Sequence, residues 1–294
     1  MGSSKFDFKP LLNAFKFGFT DKFGVNFADA TYDTASQNLA NLKNENLDKF
    51  GKFNLAFHVG DDFKSVLQNR LKLANLLNLE LRNLIFMNQI HSDKICVIDS
   101  EFMSEFYAKF DKFFEFGEFK SENLQSEFVK IFPECDALVT NLKGVGLCVM
   151  TADCSPVLLL DEKSGTVGVA HAGRNGVMQK IVTKTAHKMS EIYGTKICDL
   201  SVIVGANIKG SCYEVGDLDL GEFNKFKCVS KFKKIAKNSK NSQISNLKNF
   251  DMNLALKAEF NELGIKKFTF SKFCTHCENS LYSYRRDGVT GRFC

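Results

Sequence analysis

The chain has 294 residues, 44% apolar and 25% charged, and 39 Lys and Arg against 34 Asp and Glu leave a net charge of +5. These proportions belong to an ordinary folded protein and exclude a mostly disordered chain, a collagen-like repeat and a small disulfide-stapled scaffold. So thin a positive surplus argues against a nucleic-acid surface, although it helps to hold small anions near the protein. No run of roughly 18 apolar residues marks a membrane span, and the start Met-Gly-Ser-Ser-Lys lacks the apolar stretch of a secretory signal. Ten Cys without such a signal read as reduced thiols of a cytoplasmic protein. The 30 Phe, 6 Tyr and absent Trp look like compositional drift with no functional content of their own.

In chain order, Phe15, Phe17 and Phe19 alternate with polar residues before Thr20-Asp21-Lys22-Phe23-Gly24, a strand and turn. Residues 62–78 carry Val66, Leu67, Leu71, Leu73, Ala74 and Leu77 at helical spacing behind Asp61 and Asp62, acids suited to a helix N-terminus. Leu84-Ile85-Phe86-Met87 is a short strand leading into Asn88-Gln89-Ile90-His91. Residues 101–133 mix Phe, Glu and Lys and read as a partly helical surface insertion or cap. Four strand-like runs follow: Ala137–Thr140, Gly146–Met150, Val157–Leu160 and Val167–Ala170. Residues 175–193 form a helix with Val177, Ile181, Val182, Ala186, Met189 and Tyr193 on one face, and Leu200–Gly205 is another strand. The Lys-, Ser- and Asn-rich stretch 228–247 reads as a mobile, solvated loop. Residues 251–264 form a helix stopped by Gly264, and Phe268-Thr269-Phe270 opens a last strand. Interleaved helices and strands give an α+β class, mixed β-sheets flanked by helices, most simply one domain over 1–294. They do not give the strand order.

The chemistry concentrates in Thr151-Ala152-Asp153-Cys154-Ser155-Pro156 and Ala170-His171-Ala172-Gly173. Cys154 stands where one strand ends and the next begins. His171 stands at the end of the returning strand, among small neighbours that leave room for a ligand. A thiolate and an imidazole in one cleft are a nucleophile pair, two transition-metal ligands, or a buried structural Cys beside a satisfied His. His91, by itself a loop histidine, would complete a Cys/His/His set. Three protein ligands with an open position are the arrangement of a catalytic zinc, whereas a structural zinc wants a fourth.

Weaker signals lie elsewhere. Gly205-Ala206-Asn207-Ile208-Lys209-Gly210-Ser211 has phosphate-loop glycine spacing but no Lys directly after the second Gly, so a plain turn is the default. Cys274-Thr275-His276-Cys277 has zinc-like spacing without a second such pair, which argues against a structural zinc. Arg285, Arg286 and Arg292 offer guanidinium forks suited to phosphate, or simply a solvated basic tail. His58 and His187 read as structural or solvated.

Taken together, Asn88-Gln89-Ile90-His91, Asp136-Ala137-Leu138-Val139-Thr140, Thr151–Pro156, His171-Ala172-Gly173, Gly210–Val215 and Ser283–Arg292 resemble the YfiH family, also called the multicopper polyphenol oxidase or laccase-domain family. Asn54–Asp61 and Asn69-Arg70 resemble its N-terminal half. The resemblance implies a fold like that of the cytotoxic necrotizing factor toxins, and metal ligands at His91, Cys154 and His171. It also implies a zinc cofactor, with copper as the alternative behind the older name. The implied reaction is phosphorolysis of purine nucleosides (adenosine, inosine, guanosine, methylthioadenosine) with inorganic phosphate, together with adenosine deamination. Asn54, Gln89, Arg285 and Arg292 are then expected at the substrate, Asp153 as a proton relay, and the protein as a monomer or homodimer. The chain departs from the family with Arg174-Asn175-Gly176 where Trp-Arg-Gly is usual, Gly205-Ala206 where Gly-Pro is usual, and no Arg near Lys22. The rival expectations are a metal-free Cys154–His171 hydrolase acting on cell-wall peptide precursors, a copper phenol oxidase, disfavoured by only 5 His, and a non-enzymatic binding module.

Overall fold

The run Val157-Leu158-Leu159-Leu160 has no polar alternation, the pattern of a strand covered on both faces. It sits at the middle of the main sheet, in a strand buried along its whole length. The computed structural model describes residues 18–22, 25–26, 49–116, 124–225, 228–238 and 241–294. The strands in chain order are β1 (Phe19–Thr20), β2 (Val25–Asn26), β3 (Leu84–Ile85), β4 (Ile95–Val97), β5 (Ala137–Thr140), β6 (Gly146–Leu147), β7 (Ser155–Asp161), β8 (Thr166–Ala172), β9 (Ser201–Val204), β10 (Glu214–Gly216), β11 (Val229–Asn238), β12 (Asn241–Phe250) and β13 (Lys267–Phe270). The helices are α1 (Phe63–Leu77), α2 (Ser100–Phe116), α3 (Leu124–Val129), α4 (Arg174–Met178), α5 (Ile181–Tyr193), α6 (Met252–Glu262) and α7 (Tyr284–Asp287).

Six strands form a mixed sheet in the order β13-β9-β7-β8-β5-β4. Its outer pairs, β13 with β9 and β4 with β5, are parallel, and its inner pairs are antiparallel. Because side chains alternate across a strand, Leu138, Leu158, Leu160, Val169 and Ile203 face one core. Ala137, Val139, Val157, Leu159, Ala170, Val202 and Val204 face the other. The second core is closed by Ile181, Val182, Ala186 and Met189 of α5 and by Ala255, Leu256 and Phe260 of α6. The first is closed by α1, α2 and α3 and is aromatic. Phe128 is fully buried and meets the rings of Phe57, Phe63, Phe113 and Phe132 at centroid distances of 4.9–5.8 Å. Much of the Phe excess is therefore structural. Each such buried ring contributes about 1.5–3 kcal/mol. Met103, Phe106 and Phe110 of α2 also lie in this core, so α2 is anchored through its apolar face. Arg70 is buried there too, its guanidinium 3.6 Å from the Phe86 ring centroid, with Nε donating to Leu55 O.

Local chemistry explains the boundaries. Asp62 caps α1 by accepting from Ser65 N, and Asn78 ends it in the left-handed region; Asp251 caps α6 by accepting from Leu254 N. The helix expected over 175–193 is broken, because Lys180 adopts φ +55° between α4 and α5. The loop expected over 228–247 is instead a hairpin. β11 and β12 pair antiparallel from Val229↔Phe250 to Asn238↔Asn241, and β10 adds on the other side of β12. Phe15 and Phe17, expected to open the first strand, lie outside the described residues. Among the described residues no helix is long and apolar enough to cross a membrane.

Candidate metal centre and active site

Three neighbouring strands bring the site together. Register Ser155↔Ala172 between β7 and β8 places Cys154, just before β7, opposite Gly173, just after β8. Asp136 lies just before β5 and accepts at its backbone oxygen from His171 N at 2.7 Å. His91 sits in a tight loop at φ +58°. Donor atoms of His91, Cys154 and His171 all lie within 4.8 Å of one another, and the two imidazoles meet edge to face at 4.8 Å. Tetrahedral zinc sets N and S donors about 3.3–3.8 Å apart, so the trio fits one cation after a small contraction. Gly173 makes room for it, since a Cβ there would stand 2.8 Å from Cys154 Sγ and 3.4 Å from His91 Cδ2.

Asp136, absent from the expected site residues, organises the trio. Its fully buried carboxylate accepts from His91 N (3.0 Å) and Ser92 N and Oγ (2.6 and 2.8 Å), fixing the His91 loop. The same carboxylate bonds His171 Nδ1 at 2.8 Å, which leaves Nε2 for the site, the usual carboxylate support of a ligating imidazole. Burial raises Asp136, but the bonds from His171 and Ser92 outweigh it and hold the acid below its usual range. Burial also pushes the Cys154 thiol up; the His171 charge and hydrogen bonds from His171 and His91 prevail and lower it to about 6. For His171, burial lowers, whereas Cys154 and Asp136 raise it to about 9. Thiolate and imidazolium thus stabilise each other.

The trio opens into a cavity of about 460 Å³ lined also by His58, Gln89, Asp153, Arg174, Tyr213, Arg285 and Arg292. A larger apolar cavity of about 570 Å³ lies elsewhere, among Leu73, Leu77, Leu158, Leu160 and Val169, away from these groups. The expected substrate residues divide. Arg285 and Arg292 reach the cavity, Arg285 over the Tyr213 ring at 5.1 Å. Gln89 lines it, but its amide is tied both ways to the Met150 backbone at 2.8 Å. Asn54 stands apart from the cavity. It is 1% exposed and does not line the cavity, and its amide is used up on Ala56, Asp61 and Arg292 N. Asp153, at φ +99°, accepts from Thr275 Oγ1 at 2.6 Å and Arg285 N at 2.7 Å, so its two oxygens anchor the wall. Arg174 stands in the cavity where the family's Trp is usual. Lys22 instead pairs with Asp287 at 3.7 Å. The Gly205–Ser211 segment is a turn whose Gly205, Ile208 and Lys209 amides are taken by Pro156 O, Asp153 O and Cys274 Sγ. His58, Arg174 and Tyr213, which lie in or beside the stretches that carry the resemblance but were not expected at the site, also line the cavity.

A mixed sheet that ends in a Cys/His/His donor set beside three arginines defines a metal-competent, positively charged pocket. The chain belongs to the family described as multi-copper polyphenol oxidoreductase laccase, which it matches over residues 43–294. It is 33% identical over 243 residues to a purine nucleoside phosphorylase of Corynebacterium glutamicum, covering 83% of this chain and 85% of that one. It is 31% identical over 243 residues to an adenosine deaminase from an unknown prokaryotic organism, covering 80% and 82%. Among solved structures, YlmD from Geobacillus stearothermophilus superposes with a TM-score of 0.65 at 26% identity, covering 84% of each chain. Bacillus licheniformis YfiH shares the fold, with a TM-score of 0.64 at 24% identity over 83% of this chain and 84% of that one.

Proposed function

We propose that this protein is a zinc-dependent purine nucleoside phosphorylase, acting on adenosine, inosine, guanosine or methylthioadenosine with inorganic phosphate, and that it also deaminates adenosine. The observation that carries this reading is the convergence of His91, Cys154 and His171 on a cavity flanked by Arg174, Arg285 and Arg292. His91, Cys154 and His171 would hold the cation, and when bound it would supply Lewis-acid polarisation of an oxygen presented to it. The arginine forks bind and orient phosphate for attack at the sugar carbon and balance its charge as the bond to the base breaks. Tyr213 offers an aromatic wall for the base. His58, lowered to about 4 by burial and by the Arg292 and Arg70 charges, stays neutral at pH 7, able to donate from one ring nitrogen and accept at the other.

Zinc-loaded protein given inosine or adenosine and phosphate is expected to release free base and ribose 1-phosphate, with inosine also formed from adenosine. Cys154→Ala is expected to drop both activities to background and to lose one equivalent of zinc. Undiminished turnover in that variant overturns the site assignment.

A second reading has a specific observation behind it, since Cys154, His171 and Asp136 also form a Cys–His–Asp line. Such a line suits thiolate attack on an amide carbonyl, with the imidazolium returning the proton to the leaving amine. It predicts that iodoacetamide abolishes activity while a chelator does not. The phenol oxidase reading has less support: among the described residues, the other cluster of metal-ligating groups contains no histidine.

A further inference from the structure

The pair Cys274 and Cys277 lacks a sequence partner, but the fold supplies one. Cys212 approaches from the turn before β10, and the three sulfurs lie within 4.8 Å of one another, with Cys212 Sγ 3.5 Å from Cys277 Sγ. Tetrahedral Zn–S bonding sets sulfur–sulfur edges of about 3.8 Å; a disulfide requires about 2.05 Å. The frame around the sulfurs is rigid. Cys277 N and Glu278 N both donate to Cys274 O, at 3.1 and 3.0 Å, folding the Cys-x2-Cys stretch into a tight turn. Lys209 N donates to Cys274 Sγ at 3.4 Å. The Arg286 guanidinium gathers the carbonyls of Thr275, His276, Glu278 and Leu281 at 2.8–3.2 Å. Packing accounts for Cys274, buried in the second core, and in part for half-buried Cys212, but not for the exposed Cys277.

We propose that Cys212, Cys274 and Cys277 form a second metal site, a three-thiolate zinc site whose fourth, solvent-facing position is filled by water. Soft thiolates without a carboxylate select zinc over calcium or magnesium. With three protein ligands the site departs from the closed four-ligand set of most structural zincs, but it joins two segments of the cavity wall. Cys212 adjoins Tyr213, and the Cys274–Cys277 turn leads to Arg285, which stacks on Tyr213 and donates to Glu214 O at 2.7 Å. A cation shared by the two segments fastens together the cavity wall that carries Tyr213 and Arg285. The proposal does not rest on the nucleoside reading, since it concerns different ligands.

The test is zinc per chain, by elemental mass spectrometry, after reduction and dialysis against a mild chelator. Wild type is expected to hold two zinc ions, Cys154→Ala one, Cys277→Ser one and the double variant none. Cobalt in Cys154→Ala is expected to give a thiolate charge-transfer band that Cys277→Ser removes. The proposal is overturned if folded Cys154→Ala holds no zinc, if the double variant keeps as much as Cys154→Ala, or if the freshly purified chain contains a Cys212–Cys277 disulfide. Should Cys277→Ser unfold, iodoacetamide mapping in Cys154→Ala decides the matter: zinc must protect Cys212, Cys274 and Cys277, and equal labelling with and without zinc refutes the site.

Discussion

The two sulfur-bearing clusters are built by opposite means. At His91, Cys154 and His171 the frame is one buried carboxylate, Asp136, which grips a loop by its amides and an imidazole by its ring. At Cys212, Cys274 and Cys277 the frame is a turn held by backbone bonds and the Arg286 guanidinium. The first mixes donor types and faces a cavity with three arginines; the second offers sulfur alone and lies beside the cavity wall. The difference teaches that aim and fastening need different scaffolds. A group that must present an open coordination face is oriented through its second ring nitrogen, whereas a staple needs only its ligands close together.

The sharpest way to break this contrast is Asp136→Asn. It is expected to weaken zinc at the first cluster about 10- to 100-fold and leave the second unchanged, as read by competition with a chromophoric chelator. An equal loss at both would show that Asp136 merely supports the fold. Next in size is Gly173→Ala, whose added methyl meets Cys154 Sγ. Overpacking of this kind costs about 1–3 kcal/mol, and a lower Tm should accompany reduced occupancy of the first cluster alone. Arg286→Ala is the mirror experiment. Four carbonyls lose their donor, at a cost of roughly 1 kcal/mol or more, a drop of about 2–4 °C in Tm for a chain of this size, and iodoacetamide should then label Cys212 and Cys277 faster than Cys154. The smallest effect belongs to His58. Its folded pKa of about 4 lies below the ordinary 6.5, so the unfolded chain takes the proton first. Stability is whole above about pH 6.5 and declines as the pH falls towards 4. His58 is an exposed residue lining the cavity, so solvent screens part of this. His58→Gln should flatten the slope of Tm between pH 7 and 4, and an unchanged slope would show that His58 is not its source.

The sequence disclosed the elements whose chemistry is local. Asp62 and Asp251 announce their helices, and the buried strand at 157–160 is legible from its unbroken apolar run. The Cys154 and His171 convergence was legible too, because a strand and its returning neighbour bring such ends together. The role of Asp136 was not legible, because a carboxylate accepting from three amides, a hydroxyl and an imidazole looks like any Asp before a strand. Cys212 was hidden for the same reason: its partners are more than sixty residues away. The hairpin at 229–250 was masked by Lys, Ser and Asn, and no Gly or Asn-Gly at the reversal signals it. The bonds that occupy the Asn54 amide, to Ala56, Asp61 and Arg292 N, are likewise invisible in sequence.

One consequence follows from the Asp136 carboxylate. A receptor whose shape is set by an internal acid would exist before any ion arrives, so that an occupant, if bound, would be exchangeable without unfolding the chain. Which ion fills it then follows supply as much as design, since copper outcompetes zinc at most nitrogen and sulfur sites whenever it is free. Proteins with one such cup, prepared in different media, would acquire different metals and different reputations.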